Sequence, residues 1–122
     1  MITRFSVPNL YKSTIHLANV AANKIEPDLV LTNARVLSTY TDRISKQKEI
    51  WISKGRIASV KESGTAKKYF NKETFLTYDV KENILAPGLI DPHMHIESSM
   101  MTGCAYAEAS LLNGTTTIFC DS

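Results

Sequence analysis

Apolar positions change their spacing twice along this chain, and each change marks a new kind of element. In "PNLYKSTIHLANVAANKI", Leu10, Ile15 (or Thr14), Leu17, Val20, Ala21 and Ile25 recur at roughly helical intervals. Pro8 suits the start of a helix and Pro27 closes the pattern, which predicts an amphipathic helix over about residues 8–24. His16 lies on it alone and reads as a surface or half-buried side chain, not a ligand.

From residue 28 the apolar spacing shortens. "DLVLTNARVLSTYT" gives β-rich runs at 28–32 and 34–40, broken at Thr32-Asn33. In "KEIWISKGRIASVKES", Ile50 and Ile52 alternate with Trp51 and Ser53, and Ile57 and Val60 resume the pattern after Lys54-Gly55. That is a hairpin, because Gly55 takes the positive φ that a tight two-residue turn demands. A polar loop holding Gly64 leads to "TFLTYDV", a further strand. Residues 28–83 therefore read as a small β-sandwich or open barrel of about five strands, behind an N-terminal helical segment at 1–27.

The grammar changes again at Ile84. "NILAPGLI" is apolar without alternation, as in a strand buried on both faces. "TGCAYAEASLLNG" follows with good helix formers, Thr102 available as N-cap and Asn113-Gly114 as the stop. "TTTIFC" is β-branched and apolar. Strand, helix, strand is a βαβ unit, and a lone one leaves both sheet faces uncovered. The expectation is a mixed α and β chain: the N-terminal portion of a longer protein, with an incomplete α/β domain at 84–122.

Composition narrows the partners. The chain has 122 residues, 43% hydrophobic and 21% charged, with a net charge of +2. That charge is too small to point to nucleic acid or an anionic membrane. Lys46/Lys48 and Lys67/Lys68 are interspersed with acids and read as a solvated face. No apolar run approaches ~20 residues, and "MITRFSVPNLYKS" lacks the apolar region of a signal peptide, so a cytoplasmic location is expected. Cys104 and Cys120 form no CxxC pair and read as small buried side chains.

The chemistry concentrates in "PGLIDPHMHIESS". Residues i and i+2 of a strand point the same way, so His93 and His95 present both imidazoles in one direction. Asp91 and Glu97 share that phase, although Pro92 weakens the case for Asp91. Active sites of parallel α/β barrels lie at the carboxyl ends of their strands. Two histidines there can bind a divalent metal through neutral ring nitrogens. Accidental HxH spacing is the plainer alternative; the placement after Pro-Gly at the end of an apolar strand favours metal.

"APGLIDPHMHIESS" resembles the opening barrel strand of the amidohydrolase superfamily, metal-dependent hydrolases with a "PGxIDxHxH" signature. The segment "DLVLTNARVLSTYTDRISKQKEIWISKGRIASV" is similar to the β-sandwich that precedes their barrel. "HIESSMMT" with "LLNGTTTIFCD" most resembles the bacterial-type adenine deaminase family, from about residue 8 onward. The resemblance implies a β-sandwich followed by the first βαβ unit of a (β/α)8 barrel. It also implies His93 and His95 as ligands of one or two divalent ions (Mn, Fe or Zn), and adenine as substrate in a homo-oligomeric enzyme of purine salvage. The reaction implied is hydrolytic deamination to hypoxanthine and ammonia, with hydroxide generated at the metal and a proton shuttle beyond residue 122. The family's second strand usually runs into Asp-Pro-His-Glu; here Asp121 is followed by Ser122, a departure.

Glu97 stands as the further site residue: it can touch substrate, bond a metal-bound water or orient a histidine, against a plain role capping the loop or a helix start. Asp91 has a similar outer role. Ser98 and Ser99 read as caps. The zinc deaminases of the H-x-E and P-C-x-x-C type are excluded, since no H-x-E paired with a P-C-x-x-C occurs. Two alternatives remain. A dihydroorotase- or hydantoinase-like amidohydrolase would share both histidines, but those acting on carboxylate-bearing rings often carry arginine where Glu97 stands. A non-catalytic β-sandwich interaction fragment would carry them idly. The 122-residue chain alone is expected to be inactive, since two histidines leave a metal short of ligands.

Overall fold

A computed structural model describes residues 7–71 and 74–121. The chain divides into two compact units, Met1–Leu85 and Ala86–Ser122.

The first unit is built around the hairpin. Strands β1 (Leu29–Ser38), β2 (Arg43–Ser53) and β3 (Arg56–Glu62) run antiparallel in the order β3-β2-β1. Lys54 (φ 51°) and Gly55 (φ 70°) turn β2 into β3, both in the left-handed region that a tight hairpin uses. Two shorter strands, β4 (Leu76–Asp79) and β5 (Ile84–Leu85), pair in parallel with the same strand, β1, one after the other along its length. Asn33, at φ 54°, is where β1 passes from one to the other. The Thr32-Asn33 break read from sequence is thus an irregularity inside one strand, with register shifts at Leu31/Ala34 and Ala34/Val36.

Because β4 and β5 share one edge of β1, the described residues of this unit form a single five-stranded sheet. By themselves they do not stack two sheets as the expected sandwich requires. The covering layer is helical instead: α1 (Leu10–Ala21) and a short α2 (Thr65–Tyr69). The core comprises Val20, Val30, Trp51, Ala66 and Phe75, with Ile25, Ala58 and Phe70 against it. Trp51 meets Phe70 edge to face at 5.8 Å between ring centroids.

Helix α1 corrects the expected apolar face. Ser13 and Val20 are its buried residues, whereas Leu10 and Ile15 are exposed. Polar bonds fix it from the sheet: His16 Nε2 to Ser53 Oγ at 2.9 Å, Arg56 Nη2 donating to the Pro8 carbonyl at 3.0 Å, and Lys61 Nζ donating to the Ala21 carbonyl at 2.5 Å.

The second unit is a βαβ unit: β6 (Leu89–Met94), α3 (Gly103–Leu112) and β7 (Thr115–Cys120), with β6 and β7 parallel. Thr102 caps α3, its hydroxyl accepting the Ala105 N–H at 3.3 Å, and Gly114 ends it at φ 87°. The run "NILAPGLI" divides, because Pro87 carries no N–H to continue a ladder; Ile84–Leu85 joins the first unit's sheet. Strands β6 and β7 are not buried on both faces within the described residues: Leu89, Ile90 and Phe119 are each more than half exposed. Cys104 and Cys120 are likewise exposed and free, so the reading of both as buried side chains is corrected. Among the described residues no helix is long and apolar enough to cross a membrane.

Candidate functional site

Gly88 sets the spacing of the motif's strand. A Cβ there would overlap the Thr116 side chain of β7, so only glycine lets β6 lie so close. Past Gly88 the strand carries Asp91, Pro92 and His93 before ending at Met94. Pro92 cannot donate to the ladder, and the β6–β7 register shifts between Asp91 and Met94. His95 lies one residue beyond the strand but keeps extended backbone, φ −104° and ψ 96°. It therefore stays in phase with His93, as the i, i+2 reading requires.

The two imidazoles converge. His93 Nε2 and His95 Nε2 stand 3.1 Å apart, with the rings edge to face at 4.7 Å between centroids. Nitrogens bound at about 2.1 Å to one tetrahedral ion lie roughly 3.4 Å apart. The pair thus needs little adjustment to share an ion. Among the described residues no group of three or more His, Cys, Asp or Glu side chains gathers to hold a metal. The donor set fits a divalent ion chemically but supplies only part of a coordination shell.

The carboxylates take different places around this pair. Asp91 Oδ1 accepts the backbone N–H of His93 at 3.2 Å, which braces the strand and leaves the ring alone. Glu97 Oε1 lies 3.1 Å from His95 Nδ1, on the ring edge away from the converging nitrogens. Glu97 sits in a 3-10 turn, Ile96–Ser99, closed by the left-handed Met100 at φ 56°. The capping role weighed for Glu97 is not seen: the turn has no side-chain cap, and Thr102 caps α3. Ser98 and Ser99, read as helix caps, lie inside the turn instead, and Ser99 Oγ donates to the Ile96 carbonyl at 2.5 Å. His16 bonds Ser53 in the first unit, outside this group. Ser122, where the sequence departs from the Asp-Pro-His-Glu pattern, lies outside the described residues.

In the sequence Gly88 is legible only as the glycine of the Pro-Gly that precedes the histidines. Its close approach to Thr116 depends on a partner 28 positions further on (116 less 88), which no local pattern reports.

No family model matches the chain. Related proteins do. Adenine deaminase 2 of Bradyrhizobium sp. (strain ORS 278) is 59% identical over 121 residues, 99% of this chain and 20% of that protein. The adenine deaminase of Chelativorans sp. (strain BNC1) is 58% identical over the same length, and that of Staphylothermus marinus is 36% identical over 107 residues. Among solved structures, a prolidase complexed with N-methylphosphonate-L-proline matches with TM-score 0.55 and 20% identity, over 75% of this chain and 25% of that one. A molinate hydrolase matches with TM-score 0.55 and 16% identity, over 77% of this chain and 24% of that one. These structural likenesses carry the fold alone. The chain spans about a fifth of the length of the curated relatives it matches. Over that fifth the chain is similar in sequence to adenine deaminases, at up to 59% identity.

Proposed function

We propose that this chain supplies the first metal-binding strand of an enzyme that hydrolyses adenine to hypoxanthine and ammonia. The observation that supports it is the convergence of His93 and His95 at 3.1 Å, within a sequence 59% identical to an adenine deaminase. On this reading residues 1–27 are a helical lead-in and residues 28–83 contribute one sheet of a β-sandwich. Residues 84–122 open a (β/α)8 barrel whose later strands bring further ligands. The whole enzyme is a cytoplasmic homo-oligomer with no nucleic-acid or membrane partner.

His93 and His95 would hold a divalent ion, Mn, Fe or Zn, through Nε2. Such an ion supplies Lewis-acid chemistry and makes water nucleophilic near neutral pH. The chain's own residues prepare that site. Gly88 seats the strand against β7, and Asp91 fixes the backbone at His93. The extended backbone at His95 aims both rings at one point. The proton for the departing nitrogen passes through a carboxylate or imidazole outside these residues. Glu97, rather than arginine, two residues past His95 suits an uncharged ring better than a carboxylate-bearing one.

Purified full-length protein, assayed for hypoxanthine and ammonia from adenine with and without a chelator, tests the proposal. Chelator-sensitive turnover of adenine supports it. Turnover of dihydroorotate or a hydantoin in its place contradicts it.

A further inference from the structure

We infer that Glu97 is a positioning residue for the metal, holding His95 in the tautomer whose Nε2 lone pair faces the ion. The inference rests on the metal-site reading above. A carboxylate accepts hydrogen bonds and cannot donate them, so the 3.1 Å contact with Glu97 Oε1 requires the proton of His95 to sit on Nδ1. Nε2 is then left with its lone pair, on the side where His93 Nε2 stands 3.1 Å away. Metal-bound histidines commonly donate their other ring N–H to such a carboxylate, which fixes the ring's orientation and raises its basicity.

The surroundings argue against a merely structural role. The 3-10 turn is closed by backbone bonds, Ser98 N–H to the His95 carbonyl at 3.1 Å and Met100 N–H to the Glu97 carbonyl at 3.2 Å. Ser99 Oγ adds its own bond to Ile96. None of these uses the Glu97 carboxylate. Asp91 cannot substitute, since it reaches the backbone of His93 and not a ring nitrogen. Nor does the exposed pair earn its place as an ion pair, because contacts at this degree of exposure contribute little to stability. What remains for the carboxylate is the orientation of His95.

The test uses the full-length protein, stripped and titrated with Co²⁺ alone against a competing chelator. Glu97→Ala should weaken Co²⁺ binding roughly 10- to 100-fold, alter the ligand-field spectrum, and leave the thermal midpoint of the metal-free protein unchanged. Glu97→Gln keeps an acceptor for the Nδ1 proton and should fall between Glu97→Ala and the parent; it also serves if the alanine variant fails to fold. Unchanged Co²⁺ affinity in both variants would overturn the inference while leaving the metal site standing, provided His95→Ala loses the ion. A raised KM for adenine with unchanged Co²⁺ affinity would overturn it in favour of a substrate contact. Retention of the ion in His95→Ala would instead overturn the reading on which the inference rests.

Discussion

Glu49 and Trp51, two residues apart on β2, are joined by a buried hydrogen bond: the indole Nε1–H donates to Glu49 Oε1 at 2.7 Å. The same carboxylate accepts the Ala66 N–H at 2.6 Å and the Gly64 N–H at 2.9 Å. Glu49 is only 2% exposed, so these three donors replace the water it has lost. Their geometry ties the start of α2 to the sheet and sets the indole against Phe70. Glu49→Ala should therefore leave the buried Trp51 and Ala66 donors unpaired, with the Gly64 N–H returned to water, and cost roughly 3 kcal/mol. Glu49→Gln, still an acceptor through its carbonyl oxygen, should cost less. Chemical denaturation of both variants checks the order; equal stability of Glu49→Ala and the parent would contradict it.

That contact also shows where sequence reading stops. The hairpin at Lys54-Gly55, the Thr102 cap and the Gly114 stop were legible because each is decided by residues within a turn of one another. Helix α2 was not. Its sequence reads as a polar loop after Gly64, and the carboxylate that organises it comes from β2, 15 positions before Gly64. Helix α1 misled for a related reason: His16 turns to the sheet because the hydroxyl of Ser53, on β2, offers it a partner. The histidine pair was legible, since strand periodicity alone puts positions 93 and 95 on one side. The roles of Asp91 and Glu97 needed coordinates, because both are in phase with the histidines and only distances separate backbone brace from ring partner.

At Gly88 the expected effect is steric. Gly88→Ala places a Cβ into the Thr116 side chain and should separate β6 from β7, lowering metal content while the first unit keeps its fold. Thr116→Gly in the same protein should restore much of the loss. Metal analysis of the single and double variants decides it; full metal loading of Gly88→Ala alone would mean that the two strands are not so tightly apposed.

Lys54 offers a gain. It occupies the left-handed region at φ 51° in the hairpin turn, where asparagine is more at ease. Its backbone N–H donates to Asp28 Oδ2 at 2.6 Å, a bond that any side chain at 54 preserves. Lys54→Asn should stabilise by about 0.5–1 kcal/mol, read as a higher denaturation midpoint. A lower midpoint would show that the turn does not hold Lys54 in that conformation.

Asp79 carries a pH dependence of known sign. The Lys81 N–H, at 2.8 Å, and then the Asn33 side-chain amide, at 2.9 Å, hold its carboxyl below the ordinary value of 3.8. A lowered carboxylate value means stability that is present above 3.8 and is lost as pH falls through the lower folded value. Asn33→Ala should move the Asp79 titration back toward its ordinary range. Carboxyl carbon shifts followed by NMR across the acid range report it, and an unmoved midpoint would remove Asn33 as a cause.

Metal content reports whether His93 and His95 hold the ion of the proposed enzyme. Full-length parent, His93→Ala, His95→Ala and His16→Ala should be purified alike and analysed for bound Mn, Fe and Zn by mass spectrometry. Both site variants should lose most of the ion, and adenine turnover with it. His16→Ala, whose ring bonds Ser53 in the other unit, should keep the parent's metal and activity. Parent-like metal in a His93→Ala/His95→Ala double variant would rule out the pair as ligands and place the site elsewhere in the protein.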